Sequence, residues 1–167
     1  MIVLDWAVQT HGANVSTIAV DFQRGIDAAV EHLYELGHRR YAHVGGPPQL
    51  QTSQDRRAAF LRRCPRHGID PADVPVIDGN LRRRRAPAHC RGARAAQMPP
   101  LRFAANDMTA LGILFGGARP GLAVPRDLPV VGLDDIWLAA QSDPPLTTVA
   151  LLRCEIGHLP CACSSTC

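Results

Sequence analysis

The chain has 167 residues, of which 46% are hydrophobic and 20% charged, and its formal net charge is +3. This length supports one domain with a substantial core and hardly two. No segment approaches the roughly eighteen consecutive apolar residues of a membrane span. The N-terminus also lacks the basic and apolar regions of a secretory signal. We therefore expect a cytoplasmic protein with no membrane partner.

The predicted elements alternate between short apolar runs and segments with helical spacing. The predicted strands cover 2–4, 18–20, 41–44, 74–77, 101–105 and 128–131, with helices after the second, third and fifth of them. Such alternation is typical of βαβ units, in which right-handed crossovers place the carboxyl ends of all strands at one edge. The predicted fold class is α/β, a mostly parallel sheet with flanking helices.

The first helix is the best specified. Asp21 is its predicted N-cap, and Gly37 is predicted to end it in the left-handed conformation. Arginines at 39 and 40 favour a helix C-terminus just before them. The predicted apolar face consists of Ile26, Val30, Leu33 and Leu36.

The other helices are less sharply bounded. Thr52 or Ser53 is the predicted N-cap of the second, which is expected to end near Gly68. The third is expected to bury one face made of Met108, Leu111 and Phe115, with Leu114 beside it. Between Ile77 and Leu101 the residues show no apolar stripe, so the helix expected there is poor.

Positive charge is concentrated in one segment. Seven arginines and no acidic residue lie within 81–102. Basic clusters neutralise phosphates, but no aromatic residue interleaves with these arginines and no helix-turn-helix accompanies them. We therefore expect no specific DNA binding by this chain itself.

Three of the six cysteines lie at 161, 163 and 167. No histidine or further cysteine gives them a recognised zinc spacing. We expect neither a metal nor any other cofactor, and we interpret 160–167 as a non-native tail.

Polar side chains follow the predicted strands at the edge where parallel sheets bind ligands. They are Asp5, the segment 52–56, Asn106-Asp107 and Asp134-Asp135. Carboxylates, an amide and a guanidinium pair well with the adjacent hydroxyls of a polyol. Taken singly, Asp107 and Asp135 are predicted to cap the helices that follow them. Convergence of four strand ends favours a binding site.

Catalytic motifs are missing from the sequence. It contains no G-x-G-x-x-G after the first strand, no Walker loop and no G-x-S-x-G elbow. The turn at 45–48 is glycine-rich, but its prolines remove donors that a phosphate would need. His43 lies within a strand and is predicted to be packed or at an edge rather than a base. We predict that the chain is not an enzyme.

Several stretches resemble the LacI/GalR family of bacterial transcriptional repressors, specifically their effector-binding core. They are VEHLYELGHRRYAHVGGPP at 30–48, FAANDMTALGIL at 103–114, and VPRDLPVVGLDD with SDPPLTTV at 124–135 and 142–149. The resemblance covers roughly residues 2–159, with a poor patch at about 81–100. It implies a periplasmic-binding-protein-like fold of type I, in which two subdomains close over a sugar, purine or other small polar effector.

The resemblance also implies site residues and partners. By position, the effector contacts are Asp5, Arg56, Asn106 and Asp134, and Arg56 is preferred to Arg57 by its distance from the Gly-Pro turn. The pattern of strand ends adds Thr52 and Asp107 as further candidates. The implied protein partner is a second copy of the chain, bound as a homodimer through the C-terminal subdomain.

The resemblance divides the chain into four parts. They are a remnant of the N-terminal subdomain with a crossover (1–20), the C-terminal effector-binding subdomain (21–141), a crossover back (142–159) and the tail (160–167). The family's helix-turn-helix, its hinge helix and most of its first subdomain have no counterpart. We predict a truncated sugar-binding core of a repressor whose intact form regulates transcription, with weak or no binding by this chain alone.

Two other interpretations stay open. A stand-alone periplasmic-type sugar-binding protein would need a signal peptide and a complete first lobe. The other interpretation is an inactive product of a degraded gene, which would follow from a frameshift. If 160–167 is written in GC-rich codons, restoring one base before it gives a sequence typical of an amphipathic helix. All 18 basic residues are arginine, which GC-rich DNA explains, and we extend the same hypothesis to 81–100.

Overall fold

The structure, a computed structural model, describes residues 2–4, 16–18, 20–79, 101–117 and 124–151. The predictions made for Asp5, for the arginine-rich patch 81–100 and for 152–167 lie outside the described residues. None of the described helices is long and apolar enough to cross a membrane.

Strands and helices alternate along the described chain, as predicted. The strands are β1 (Ile2–Leu4), β2 (Ser16–Ile18), β3 (Tyr41–Val44), β4 (Val76–Ile77), β5 (Leu101–Ala104), β6 (Val130–Asp134) and β7 (Thr147–Ala150). The helices are α1 (Phe22–Glu35), α2 (Gln51–Arg63), α3 (Asp107–Gly117) and α4 (Trp137–Gln141). Two short 3-10 turns, Cys64–His67 and Pro71–Asp73, follow α2.

Five of these strands form one parallel sheet in the order β4-β3-β5-β6-β7, and β1 pairs with β2 in a separate parallel pair. Parallel pairing brings all five carboxyl ends to one edge. The register aligns Val44 at the end of β3 with Ala104 at the end of β5. The predicted α/β class is therefore confirmed, whereas the segment predicted as a crossover (142–159) contains the last strand of this sheet, β7.

Helices cover the two faces of the sheet. Alternate strand residues point to opposite faces, and they divide the core into two clusters. One cluster joins the sheet to α1 and α2, where the Phe60 and Phe103 rings stack 4.7 Å apart. The other joins the sheet to α3 and α4 around Leu111 and Leu146. The helices packed on both faces of the five-stranded sheet therefore hold the loops at its carboxyl edge in place.

Helix α1 has the predicted caps. The Asp21 carboxylate accepts from the backbone N–H of Gln23 at 2.9 Å, and Gly37 takes a φ of 90°. Hydrogen bonds from His38 N to Leu33 O and from Gly37 N to Tyr34 O complete a Schellman motif. The prediction for Leu36 was wrong: this turn leaves it 62% exposed.

Helix α2 begins earlier than predicted. Its N-cap is Leu50, whose own N–H bonds to Pro47 O, so Thr52 and Ser53 lie inside the first turn rather than capping it. It also ends earlier than predicted, at Arg63, and the 3-10 turn Cys64–His67 continues the coil to Gly68, which closes it at a φ of 70°.

Four strands differ in their boundaries from the predictions, and β5 differs least, since it ends at Ala104 rather than Ala105. β2 spans 16–18 rather than 18–20, and β4 keeps only 76–77 of the predicted 74–77. β6 spans 130–134 rather than 128–131, because its pairing with β7 continues to Asp134, opposite Ala150. Pairing with a neighbouring strand, which local sequence does not encode, sets these limits.

The buried face of α3 was predicted correctly at Leu111 and Leu114 but wrongly at Met108 and Phe115. Phe115 is 49% exposed and Met108 is half-buried, whereas Ala110, Ile113 and Leu114 are buried with Leu111. Residues 107–117 contain hardly any polar side chains, so spacing alone does not identify the face that packs.

Candidate functional site

Arg56 is the central side chain at the carboxyl edge. It lies on α2 with 8% of its surface exposed. Its Nη1 donates to the backbone carbonyl of Ala105 at 2.8 Å, and its Nη2 lies 3.2 Å from Asp134 Oδ1. The guanidinium carbon also lies 4.5 Å from the centre of the Phe22 ring. Arg56 thus links α1, α2 and the ends of β5 and β6.

Asp134 and Asp135 turn the chain away from β6 in an unusual backbone conformation. Their φ angles are 126° and 53°. Residues other than glycine rarely adopt positive φ, and each instance costs about 1–3 kcal/mol unless the surroundings hold it. Such strain concentrates at functional sites. At this turn the strain coincides with the contact between the Asp134 carboxylate and Arg56.

Asn106 has a structural task besides the predicted ligand contact. It is 9% exposed, and its Oδ1 accepts from Thr109 N at 2.9 Å. Asn106 is therefore the residue that caps α3, in place of Asp107, for which we predicted this role.

Asp107 is fully buried and points across the sheet. One carboxylate oxygen accepts from the Ile136 backbone N–H at 2.8 Å, and the other accepts from the Thr148 hydroxyl. The prediction that Asp135 caps the following helix was also wrong. The N-cap residue of α4 is Ile136, and no side chain makes a capping hydrogen bond there. The backbone N–H of Asp135 instead donates to Thr148 Oγ1 at 3.3 Å.

Thr52 lies one helical turn before Arg56 and is half-buried. Residues four apart share a helix face, so both belong to the face of α2 that meets the edge. The described residues therefore bring together Arg56, Ala105, Asn106 and Asp134, with Thr52 adjacent along α2. We call these five residues the edge cluster.

Sequence reasoning missed two contributors. Phe22, the first residue of α1, is 8% exposed and lies against the Arg56 guanidinium, a cation–π contact. Thr148 links Asp107 to the turn after β6. Helical spacing had given a signal for Phe22, which stands four residues before Ile26, but nothing local identifies Thr148.

Two other buried ionisable groups lie away from this edge cluster. His43 packs against the Phe60 and Phe103 rings, whose centres lie 5.5 and 6.2 Å from its own, and burial lowers its pKa to about 4. It is packed, as predicted. Burial also raises the pKa of the Cys64 thiol to about 11. Within the ranges that the structure describes, no three His, Cys, Asp or Glu side chains are grouped as metal ligands.

The edge cluster offers both polarities of hydrogen bond in fixed directions. A guanidinium donates, a carboxylate accepts, and an amide does both. Side-chain exposures of 10% for Arg56 and 22% for Asp134 leave a small part of each side chain in contact with solvent. This arrangement suits a small molecule with neighbouring hydroxyl groups.

A family model described as a periplasmic binding protein-like domain matches residues 30–162. The transcriptional repressor CytR of Escherichia coli K12 is 34% identical over 151 residues, which is 85% of this chain and 42% of CytR.

Solved structures of regulators agree with this match. A LacI transcriptional regulator from a Rhodococcus species has a TM-score of 0.77 and 33% identity, over 93% of this chain and 57% of that one. The Lac repressor bound to ONPG has a TM-score of 0.79 and 26% identity, over 95% of this chain and 47% of that one. The chain thus spans about half the length of the proteins it matches.

Proposed function

Since the chain belongs to the periplasmic binding protein-like family and carries the effector-binding core of a LacI/GalR-type repressor, we propose that its carboxyl-edge residues bind a small polar effector, most simply a sugar. The proposed contacts within the described residues are Arg56, Asn106 and Asp134. Thr52 belongs to the same proposal by its place on α2. Asp5, which lies outside the described residues, is included because it follows β1 in the sequence, although β1 pairs with β2 apart from the five-stranded sheet.

The observation that carries this proposal is the ion pair between Arg56 and Asp134 at the carboxyl edge. Its two members come from different elements, and Asp134 is held at a positive φ. A guanidinium and a carboxylate placed side by side can donate to one hydroxyl oxygen and accept from its neighbour. Charge-assisted bonds of this kind are stronger than neutral ones. Two adjacent hydroxyls therefore satisfy the pair without separating it.

We propose the division of the chain stated above, except that β7, which pairs with β6, belongs together with 21–141 to the effector-binding subdomain. In the intact regulator, this subdomain would form one wall of the cleft, and the other subdomain would form the opposite wall. Effector binding would then change the affinity with which the DNA-binding part of the intact regulator binds the operator. Because one wall excludes little water, we expect the chain alone to bind weakly. The expected Kd is about 1 mM, which corresponds to a binding free energy of about −4 kcal/mol.

We also propose that the subdomain forms a homodimer in the cytoplasm. Two large apolar side chains support this, since Trp137 on α4 is 76% exposed and Phe115 on α3 is 49% exposed. Large exposed apolar groups favour a protein interface. Size-exclusion chromatography with light scattering should give a dimer for the wild type and a monomer for Trp137→Ser. A monomeric wild type would contradict the proposal.

The relatives are transcriptional repressors rather than enzymes, and we propose a binding rather than a catalytic role for the edge cluster. The test is a titration of the ¹⁵N-labelled chain with monosaccharides, nucleosides and ONPG at millimolar concentration. We expect at least one compound to shift the signals of Arg56, Asn106 and Asp134 in a saturable way. No saturable shift with any of them, or shifts confined to other residues, would contradict the proposed function.

A further inference from the structure

Asp107 carries a buried charge that the proposed effector contacts do not use. It is 0% exposed, and both carboxylate oxygens accept hydrogen bonds from within the protein. A buried carboxylate is costly unless hydrogen bonds satisfy it. Its partners, Ile136 and Thr148, lie 29 and 41 residues away in sequence, so the charge connects separate elements rather than capping its own helix.

The carboxylate of Asp107 lies directly against the backbone of β6. A Cβ on Gly132 would overlap its Oδ1 atom and press on Leu146 at 3.1 Å. Only glycine leaves this space open. Gly132 stands two residues before Asp134, so the carboxylate sits immediately beneath the strand end that carries the proposed effector contact.

From this position, Asp107 fixes the turn that contains Asp134 and Asp135. It holds the N–H of Ile136 directly, and it holds the N–H of Asp135 through the Thr148 hydroxyl. These hydrogen bonds secure the backbone between the two residues with positive φ and just after them. A strained conformation persists only where several contacts define it together.

We propose that Asp107 is a positioning residue for effector recognition, which acts through Thr148 and Gly132 to hold Asp134 toward Arg56. It touches no effector. This inference rests on the proposed function for its binding consequence, but its structural step is independent of any ligand. We call the hydrogen bonds from Asp107 to Ile136, and through Thr148 to Asp135, the relay. Loss of the relay lets Asp134 and Asp135 relax to negative φ, and the Asp134 carboxylate then leaves Arg56.

Thr148→Val tests the relay with little disturbance, because valine keeps the shape of threonine and removes only its hydroxyl. Thr147→Val is the matched control, since Thr147 is the exposed neighbour on the same strand. Three-bond HN–Hα couplings and backbone shifts of Asp134 and Asp135 are measured in the ligand-free chain. We expect positive φ in the wild type and in Thr147→Val, and a change at both residues in Thr148→Val. Unchanged couplings in Thr148→Val would overturn the inference.

Gly132→Ala is the second variant, since its added methyl group displaces the Asp107 carboxylate directly. We expect the same change at Asp134 and Asp135. If Gly132→Ala does not fold, the couplings in Thr148→Val decide the question.

Binding is measured with ONPG and with each compound that shifts the wild-type spectrum. We expect Thr148→Val to weaken affinity by about tenfold and Thr147→Val to leave it unchanged. In an Asp134→Asn background, Thr148→Val should cause no further loss, because both changes act through one group. Additive losses would contradict action through Asp134. If no compound binds the wild type, the proposed function fails, while the ligand-free couplings still test the relay.

Discussion

The guanidinium of Arg56 and the carboxylate of Asp134 lie 3.2 Å apart and join helix α2 to the end of strand β6. Ion pairs removed from water stabilise little on their own, because desolvation offsets most of their attraction. One member of this pair, Asp134, also has a strained backbone with a φ of 126°. A role in presenting two charged groups to a ligand explains both features better than a role in stability.

Removing one member of the pair should nevertheless destabilise the fold. In Arg56→Met, the Ala105 carbonyl and the Asp134 carboxylate both lose the guanidinium. We expect the free energy of unfolding to fall by about 2–4 kcal/mol, since a partly buried charge is left without its partner. Urea denaturation followed by circular dichroism measures this. Arg57→Met is the matched control, because Arg57 is exposed. Equal effects of the two substitutions would contradict the account.

The two roles of Asn106 can be separated by substitution. Asn106→Ala removes the cap of α3 and should lower the free energy of unfolding by about 1 kcal/mol, whereas Asn106→Ser keeps a capping oxygen and should cost much less. If the amide also contacts the effector, Asn106→Ser weakens binding while it preserves stability. Thermal unfolding and the NMR titration measure the two effects. A serine variant that is as unstable as the alanine variant would rule out the cap.

The sequence predicted both ends of α1 correctly, the N-caps of the other helices wrongly, and contacts between distant segments poorly. Asp21 and Gly37 are correct because a cap depends on residues within one turn. Arg56 and Asp134 were placed at one edge by the general geometry of parallel sheets. The relay from Asp107 was not predicted, because its partners lie 29 and 41 residues along the chain. Which residue caps α3 also depends on that relay, since Asp107 is committed elsewhere.

Acid should destabilise the protein through His43. Burial lowers its pKa from 6.5 to about 4, so between these values the unfolded chain binds a proton that the folded chain does not. The contribution of His43 to stability is complete above pH 6.5 and decreases as the pH falls, by about 3 kcal/mol at pH 4.

His43→Phe keeps an aromatic ring beside Phe60 and Phe103 and removes the titrating group. Urea denaturation at pH 4 to 7 should show a smaller loss of stability in acid for this variant than for the wild type. The control is the exposed His32, since His32→Gln should leave the wild-type dependence intact. A His43→Phe variant with the full wild-type loss would contradict the assignment.

The most direct measurement is the affinity of the Asp134→Asn and Arg56→Lys variants for whichever monosaccharide, nucleoside or ONPG binds the wild-type chain. Asp135→Asn is the matched control, because Asp135 is exposed and asparagine tolerates positive φ. We predict that the two site variants lose at least about tenfold in affinity and that Asp135→Asn keeps the wild-type value. Wild-type affinity in Asp134→Asn and Arg56→Lys would contradict the claim that this ion pair receives the effector.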